Sequence, residues 1–208
     1  MIRITEYTAL EKGRIRVCLD NGETLVLYRS EAARIPSEAG GGISEEDYRR
    51  LVDHVLTKRA TKRAMHLLER MDRTERELRG KLEDAYPAEC VDAAVAYVAR
   101  FHYLDDYRYA CSFIRCRKEK YSRRQMAFKL TAKGVASELI DQALLEEYGE
   151  NEDAQIRAIL KKRRFVPGED RKEYAKVFRY LACKGFESGA IRRNLREFGA
   201  SDEAELLF

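Results

Sequence analysis

The chain has 208 residues, 37% of them charged and 45% apolar, with 40 Lys/Arg set against 36 Asp/Glu. That apolar content excludes a disordered chain, and a net charge of only +4 excludes any argument from overall charge, so an electrostatic role must come from clustering. With 3 Pro and 12 Gly there are few helix breakers, and the length suits one large or two small domains with a substantial core.

The first residues, MIRITEYTAL, lack the basic segment and long apolar core of an export signal, and no run approaches the length of apolar residues needed to span a bilayer. The expectation is a cytoplasmic protein that is neither exported nor membrane-spanning. Five cysteines (Cys18, Cys90, Cys111, Cys116, Cys183) form no C-x-x-C pair and have no histidine at ligand spacing. They read as reduced thiols, mostly on buried faces.

Residues 2–28 follow a different period from the rest. Ile15, Val17 and Leu19 alternate with Arg14, Arg16 and Cys18, and Leu25 and Leu27 with Val26 and Tyr28. Between them, Asn21-Gly22 supplies the positive φ angles of a tight hairpin. Residues 2–7 form a candidate third strand, and residues 30–35 fit a short helix. So small a sheet must pack on something to persist. Residues 36–42, which include Gly40-Gly41-Gly42, read as a flexible connector.

Helix follows from Ser44, whose hydroxyl can cap while Glu45, Glu46 and Asp47 suit the positive end of the dipole. Apolar positions then run through Leu51, Val55, Leu56, Ala60, Ala64, Leu67, Leu68 and Met71, as one helix or as two broken near Thr57–Thr61. Thr74 with Glu77 opens another helix, and Pro87 opens the next as a first-turn proline.

Self-similarity then organises the chain. An offset of about 48 places Thr74 on Ser122, Glu77 on Gln125, Leu78 on Met126 and Leu82 on Leu130; an offset of about 65 places Phe113 on Phe178, Tyr121 on Phe186, Met126 on Ile191, Leu130 on Leu195 and Gly134 on Gly199. The third copy departs at the cap, with Glu187 where Ser122 stands and Ser188 one residue later. The expected fold is mainly α, with three tandem three-helix repeats in an elongated, curved body after a small β-hairpin-containing N-terminal segment. The expected boundaries are 1–43 for the strands and connector, 44–104 for a helical extension plus repeat 1, 105–150 for repeat 2 and 151–208 for repeat 3.

Chemistry is sparse. Gly40-Gly41-Gly42 lacks the Lys-Ser/Thr of a phosphate loop. His54, His66 and His102 are scattered without nucleophilic companions. Asp105-Asp106 could serve a metal-dependent nuclease, but their simpler role is at a helix start, with Asp105 capping the helix that begins at Asp106. The expectation is no enzyme, no metal and no cofactor.

What stands out is a basic run. Between residues 114 and 133 there are eight cations (Arg115, Arg117, Lys118, Lys120, Arg123, Arg124, Lys129, Lys133) against the single acid Glu119. The bland reading is a solvated helical face. Against it, side-by-side cations repel, so an anionic partner explains the bias economically. Tyr107, Tyr109, Tyr121 and Phe128 are interleaved and suit base stacking, although Tyr121 also fits an inter-helix core position. Lys161, Lys162, Arg163 and Arg164, then Arg192, Arg193 and Arg196, form a secondary basic track; the first cluster also suits a helix C-terminus.

Residues 64–82 (AMHLLERMDRTERELRGKL), Tyr103-Leu104-Asp105-Asp106 followed by Tyr109-Ala110, residues 123–135 ending in Lys133-Gly134-Val135, and residues 180–195 (YLACKGFESGAIRRNL) together resemble the RecX family. The resemblance covers roughly residues 60–200 in order and spacing. It implies a modulator of the RecA recombinase that binds the RecA filament on DNA, usually inhibiting its ATPase and strand exchange. It implies tandem three-helix repeats and no catalytic residues. The family often carries Gly where His102 and Ser122 stand here. The expected partners are the RecA filament and single- or double-stranded DNA, with no membrane, for a monomeric protein; the alternative is a stand-alone DNA-binding protein using the basic middle repeat.

Overall fold

The computed structural model describes residues 1–36, 38–148, 152–166 and 171–198. The chain forms two compact units, Met1–Asp106 and Tyr107–Phe208.

The first unit opens with strands β1 (Ile2–Ala9), β2 (Arg14–Leu19), β3 (Thr24–Tyr28) and β4 (Gly42–Ile43), in one antiparallel sheet of order β3-β2-β1-β4. Alternation sends Ile15, Val17, Leu19, Leu25 and Leu27 inward, as the period of two requires. The presumed flexible connector is in part a strand. Gly42 pairs with Arg3, Ile4 donates to the Gly41 carbonyl and Gly40 donates to the Ile4 carbonyl. A Cβ on Gly41 would lie 2.4 Å from that of Pro36, so a side chain is excluded there. Ser37 lies outside the described residues. The helix expected at residues 30–35 is a single 3-10 turn, Ala32–Arg34.

Helix α1 (Glu45–Arg50) is capped by Ser44, whose hydroxyl accepts from the Asp47 N–H. It continues through a π-helical segment, Leu51–Leu56, into α2 (Thr57–Arg70) without leaving helical geometry. Of the two alternatives the chain takes the continuous one, with a π-helical irregularity just before Thr57. Helices α3 (Glu75–Leu82) and α4 (Ala88–Arg100) complete this unit. Sheet and helices share one core, in which Leu25, Leu27 and Ile43 join Leu56, Ala60, Val91 and Val98. Polar ties reinforce it: Arg59 donates to the Val26 carbonyl at 3.1 Å and to Glu31 at 2.8 Å, with its guanidinium 4.7 Å from the Tyr28 ring centroid. The Tyr48 hydroxyl meets Glu23 and Glu89. The small sheet is stable because it covers the first repeat.

The second unit carries α5 (Asp106–Arg115), α6 (Arg123–Ala132), α7 (Ser137–Tyr148), α8 (Asp153–Lys162), α9 (Arg171–Cys183) and α10 (Ser188–Glu197). It has two separate apolar clusters, one for α5–α7 around Ile114, Met126, Leu130 and Leu144, and one for α8–α10 around Ile156, Leu160, Leu181 and Ile191. Each three-helix group thus buries its own core. Fully burying each such side chain stabilises by about 1.5–3 kcal/mol.

Capping boxes are complete at Thr74/Glu77 and at Ser122/Gln125, which supports the offset relating α3 to α6. The offset proposed for the third repeat is overturned. Gly134 (φ 88°) and Gly185 (φ 90°) end α6 and α9 with the same pair of hydrogen bonds: Gly134 to Thr131 and Val135 to Leu130, Gly185 to Ala182 and Phe186 to Leu181. The same turn also ends α4 at His102 and α8 at Arg164, so the correspondence rests on the two separate cores: with α5–α7 in one and α8–α10 in the other, α9 is the counterpart of α6, and Phe186 matches Val135 instead of Tyr121. Apolar spacing could not reveal this, because sliding an amphipathic pattern by one whole helix preserves its period. Gly199, the earlier partner for Gly134, lies outside the described residues. The α10 start has Glu187 at its cap with no side-chain hydrogen bond. His102 has φ 57° at the end of α4, a left-handed turn that Gly adopts without strain.

Candidate partner-binding surface

The basic run occupies the end of α5, the following turn and α6. Asp106 is the acid in the first turn of α5, as expected, and its carboxylate also accepts from the main-chain N–H of Glu75, the first residue of α3, at 2.8 Å. Burial raises its pKa above the ordinary aspartate value.

The second repeat's cations are less uniform than their sequence suggests. Arg115 pairs with Glu147 of α7, whose side chain is only 7% exposed; hydrogen bonding holds that carboxylate low and the guanidinium high in pKa. Lys118 donates to the Glu147 carbonyl at 3.1 Å. Reading all eight cations as uncompensated is thereby corrected: α7 returns the missing acid, at i+32 from Arg115, beyond any local pattern. Among the described residues, no carboxylate pairs with Arg117, Lys120, Arg124 or Lys129. Arg117, Lys120 and Arg124 are exposed, and Lys129 is half-buried.

The aromatic residues are also committed. The Arg117 guanidinium lies 4.3 Å from the Phe113 centroid, Lys129 Nζ lies 4.5 Å and Lys120 Nζ 5.5 Å from that of Tyr121, and Lys133 Nζ lies 5.6 Å from that of Tyr109. The Tyr107 hydroxyl hydrogen-bonds Glu146. These rings serve as seats for cations. Phe128 differs, being 76% exposed.

The start of α6 meets the α9–α10 turn. The Ser122 hydroxyl accepts from the Gln125 N–H at 3.3 Å and donates to the Lys184 carbonyl. A Cβ on Gly185 would lie 3.1 Å from Ser122 Oγ and 3.3 Å from Arg124 Cβ. Glu152, just before α8, accepts from the Arg123 N–H at 3.3 Å, and the Glu187 N–H also donates to this carboxylate. One acid thus caps two helix N-termini. Burial raises its pKa, while the two N–H groups and the Arg123 charge oppose the shift. Asp106 and Glu152 make the same contact one repeat apart, each holding the first N–H of the preceding capped helix. Sequence reasoning missed both; the signal was an acid directly at each repeat's first helix.

This contact bears on which cations can be varied cleanly. Arg123 is half-buried and its charge faces Glu152, so reversing it would set two acids together. Arg124 carries no such role.

Two hollows flank this turn. One of about 640 Å³ includes Arg123, Arg124, Asp141, Glu152, Glu187 and Arg193 and is of mixed charge. The other, about 400 Å³ between α6 and α9, is lined by Arg124, Phe128, Lys129, Tyr121, Cys183 and Gly185 among others, with cations and no acid.

In the secondary track, Lys161 and Lys162 end α8, and Arg163 lies 3.7 Å over the Tyr180 ring. Arg164 takes a left-handed φ of 53°. Arg192 stands 5.8 Å from the Phe178 centroid, and Arg196 is exposed. Arg193 binds Asp153 at 2.9 Å and 3.0 Å, so it is a repeat-internal ion pair.

Cys111, Glu146 and Glu147 lie within metal-ligand reach of one another, but Tyr107 and Arg115 already occupy the two carboxylates. Asp105 and Asp106 are not part of any such group among the described residues. Cys90 and Cys111 are buried, whereas Cys116 and Cys183 are exposed, contrary to the expectation that most thiols are inside. No helix among the described residues is long and apolar enough to cross a membrane.

Comparison with known proteins identifies this arrangement. Family models for the first, second and third three-helix domains of RecX match residues 60–97, 105–144 and 150–195. The third span takes in α8, α9 and most of α10, in agreement with their shared core. "Regulatory protein RecX" of Caldanaerobacter subterraneus subsp. tengcongensis is 30% identical over 76% of this chain and 80% of its own. That of Vibrio vulnificus is 34% identical over 68% of this chain and 90% of its own. Two crystal structures share the fold. A regulatory protein RecX has TM-score 0.60 at 22% identity, covering 92% of this chain and 98% of that one; RecX from Lactobacillus salivarius has 0.63 at 18%, covering 69% and 96%. The chain belongs to the RecX family of regulatory proteins.

Proposed function

We propose that the protein binds the RecA recombinase filament on DNA and inhibits its ATPase and strand-exchange activities. The observation that carries this reading is the group of cations on the second repeat, Arg117, Lys120, Arg124 and Lys129, which pair with no carboxylate among the described residues of a chain that belongs to a regulatory family. Cations left without internal carboxylates favour an anionic surface outside the molecule. Three linked domains let individually weak contacts add through effective concentration. We also propose the domain boundaries 1–43 for the strands and connector, 44–104 for the helical extension plus repeat 1, 105–150 for repeat 2 and 151–208 for repeat 3.

The test follows RecA-catalysed ATP hydrolysis on single-stranded DNA while the protein is titrated in, with salt and order of addition varied. Inhibition that persists when filaments are formed first supports filament binding. If ATPase is unchanged while the protein binds naked DNA tightly, with affinity falling steeply as salt rises, it is a stand-alone DNA-binding protein instead.

A further inference from the structure

We propose that the hollow between α6 and α9 docks an acidic peptide segment carrying one large apolar side chain, supplied by the protein of the filament and not by its DNA. This rests on the filament-binding reading above and names the chemistry of the contact.

Three observations carry it. Phe128 projects from α6 with 76% of its surface exposed, on a helix whose Met126 and Leu130 are fully buried. An aromatic left this open beside a concavity is the arrangement found at the centre of protein interfaces, where a ring and a pocket bury together. Next, the hollow of about 400 Å³ is lined on one side by Arg124 and Lys129 and on the other by Ala182, Cys183 and Gly185. Charge at this site is of one sign, unlike the neighbouring hollow that holds Asp141, Glu152 and Glu187. A carboxylate entering beside an apolar side chain would find two cations without internal ion pairs among the described residues.

The third observation decides between protein and nucleic acid. A single strand is held by several ring faces on which successive bases stack. Here the rings of Tyr109, Phe113 and Tyr121 are each covered by a cation of this same surface, at 5.6, 4.3 and 4.5 Å. Among the described rings that line this hollow, Tyr121 lies under a cation and Phe128 is open, which makes one anchor rather than a stacking row. Gly185 keeps the hollow open by φ 90° with no side chain, and a Cβ there would press on Ser122 and Arg124.

The experiment measures binding of the full-length protein, as wild type, Phe128→Ala and Phe128→Leu, to two probes: RecA filaments assembled on an oligo(dT) strand, and the same strand without RecA. The expected result is a loss of filament affinity on the order of tenfold for Phe128→Ala, partial recovery for Phe128→Leu, and unchanged affinity of all three for the naked strand. Thermal melting checks that the exposed position leaves the fold intact. Filament affinity unchanged in Phe128→Ala overturns the docking proposal and leaves the functional reading standing. Equal losses on filament and naked strand also overturn it, assigning Phe128 to the nucleic acid. No binding of the wild type to filaments overturns the functional reading, and the docking proposal with it.

Discussion

Glu152 offers the sharpest check of how the second and third repeats are joined. Its carboxylate accepts from the first N–H of α6 and from the N–H of Glu187 at the start of α10. A capping hydrogen bond contributes about 1 kcal/mol. Glu152→Ala removes both acceptors and should cost about 2 kcal/mol, or a fall in Tm of about 4–8 °C if the chain unfolds in one transition. Glu152→Gln should behave differently. The folded-state pKa lies above the ordinary glutamate value because burial outweighs the two N–H groups and Arg123. Ionisation is therefore harder in the folded state, and this group's contribution to stability is full below its unfolded pKa and declines as pH rises through the folded one. At neutral pH the neutral amide, which keeps an acceptor, should match or slightly exceed wild type. As pH falls towards the ordinary glutamate value, wild type should gain on Glu152→Gln. Calorimetry of the three proteins between pH 4 and 8 reads all of this. A Glu152→Ala variant melting with wild type would remove the capping account, and a Gln variant as unstable as Ala would contradict the raised pKa.

Further outcomes follow from single positions. Gly185→Ala forces an L-residue to φ 90° with its Cβ 3.1 Å from Ser122 Oγ, and should lower stability by about 1–3 kcal/mol in urea titration. Met126→Ala empties a fully buried site in the second repeat's core and should cost about 2–5 kcal/mol, seen as lost protection of α5–α7 amides in hydrogen exchange while the strands stay protected. Arg59→Ala removes the donor to Val26 and Glu31 and the cation over Tyr28, and should cost about 2 kcal/mol, with exchange rising first in β3.

Much of this was legible in sequence because it is local. Asn21-Gly22 between alternating runs gave the hairpin, and Thr74/Glu77 and Ser122/Gln125 gave capped helix starts, since each signal lies within four residues. The third repeat's register was not legible: every amphipathic helix repeats the same spacing, and only the separate cores of α5–α7 and α8–α10 fix which helix matches which. The basic run was visible as composition, but its inner division was not. Glu147, which meets Arg115, and Glu152, which meets the start of α6, come from distant helices. Nor does sequence distinguish Phe113, seated under Arg117, from Phe128, which is open to solvent. The Gly-rich stretch reads as a linker because glycine serves both a loose chain and a close backbone approach, and contact with Pro36 and β1 makes it the second here.

The most direct test of the central claim is RecA ATPase inhibition on single-stranded DNA by the Arg124→Glu, Lys129→Glu double variant. Both side chains lack internal carboxylate partners among the described residues and neither caps a helix, so the fold should survive. The account predicts a half-inhibitory concentration raised on the order of tenfold or more, with circular dichroism and Tm unchanged. Inhibition equal to wild type would contradict the assignment of this surface to the filament.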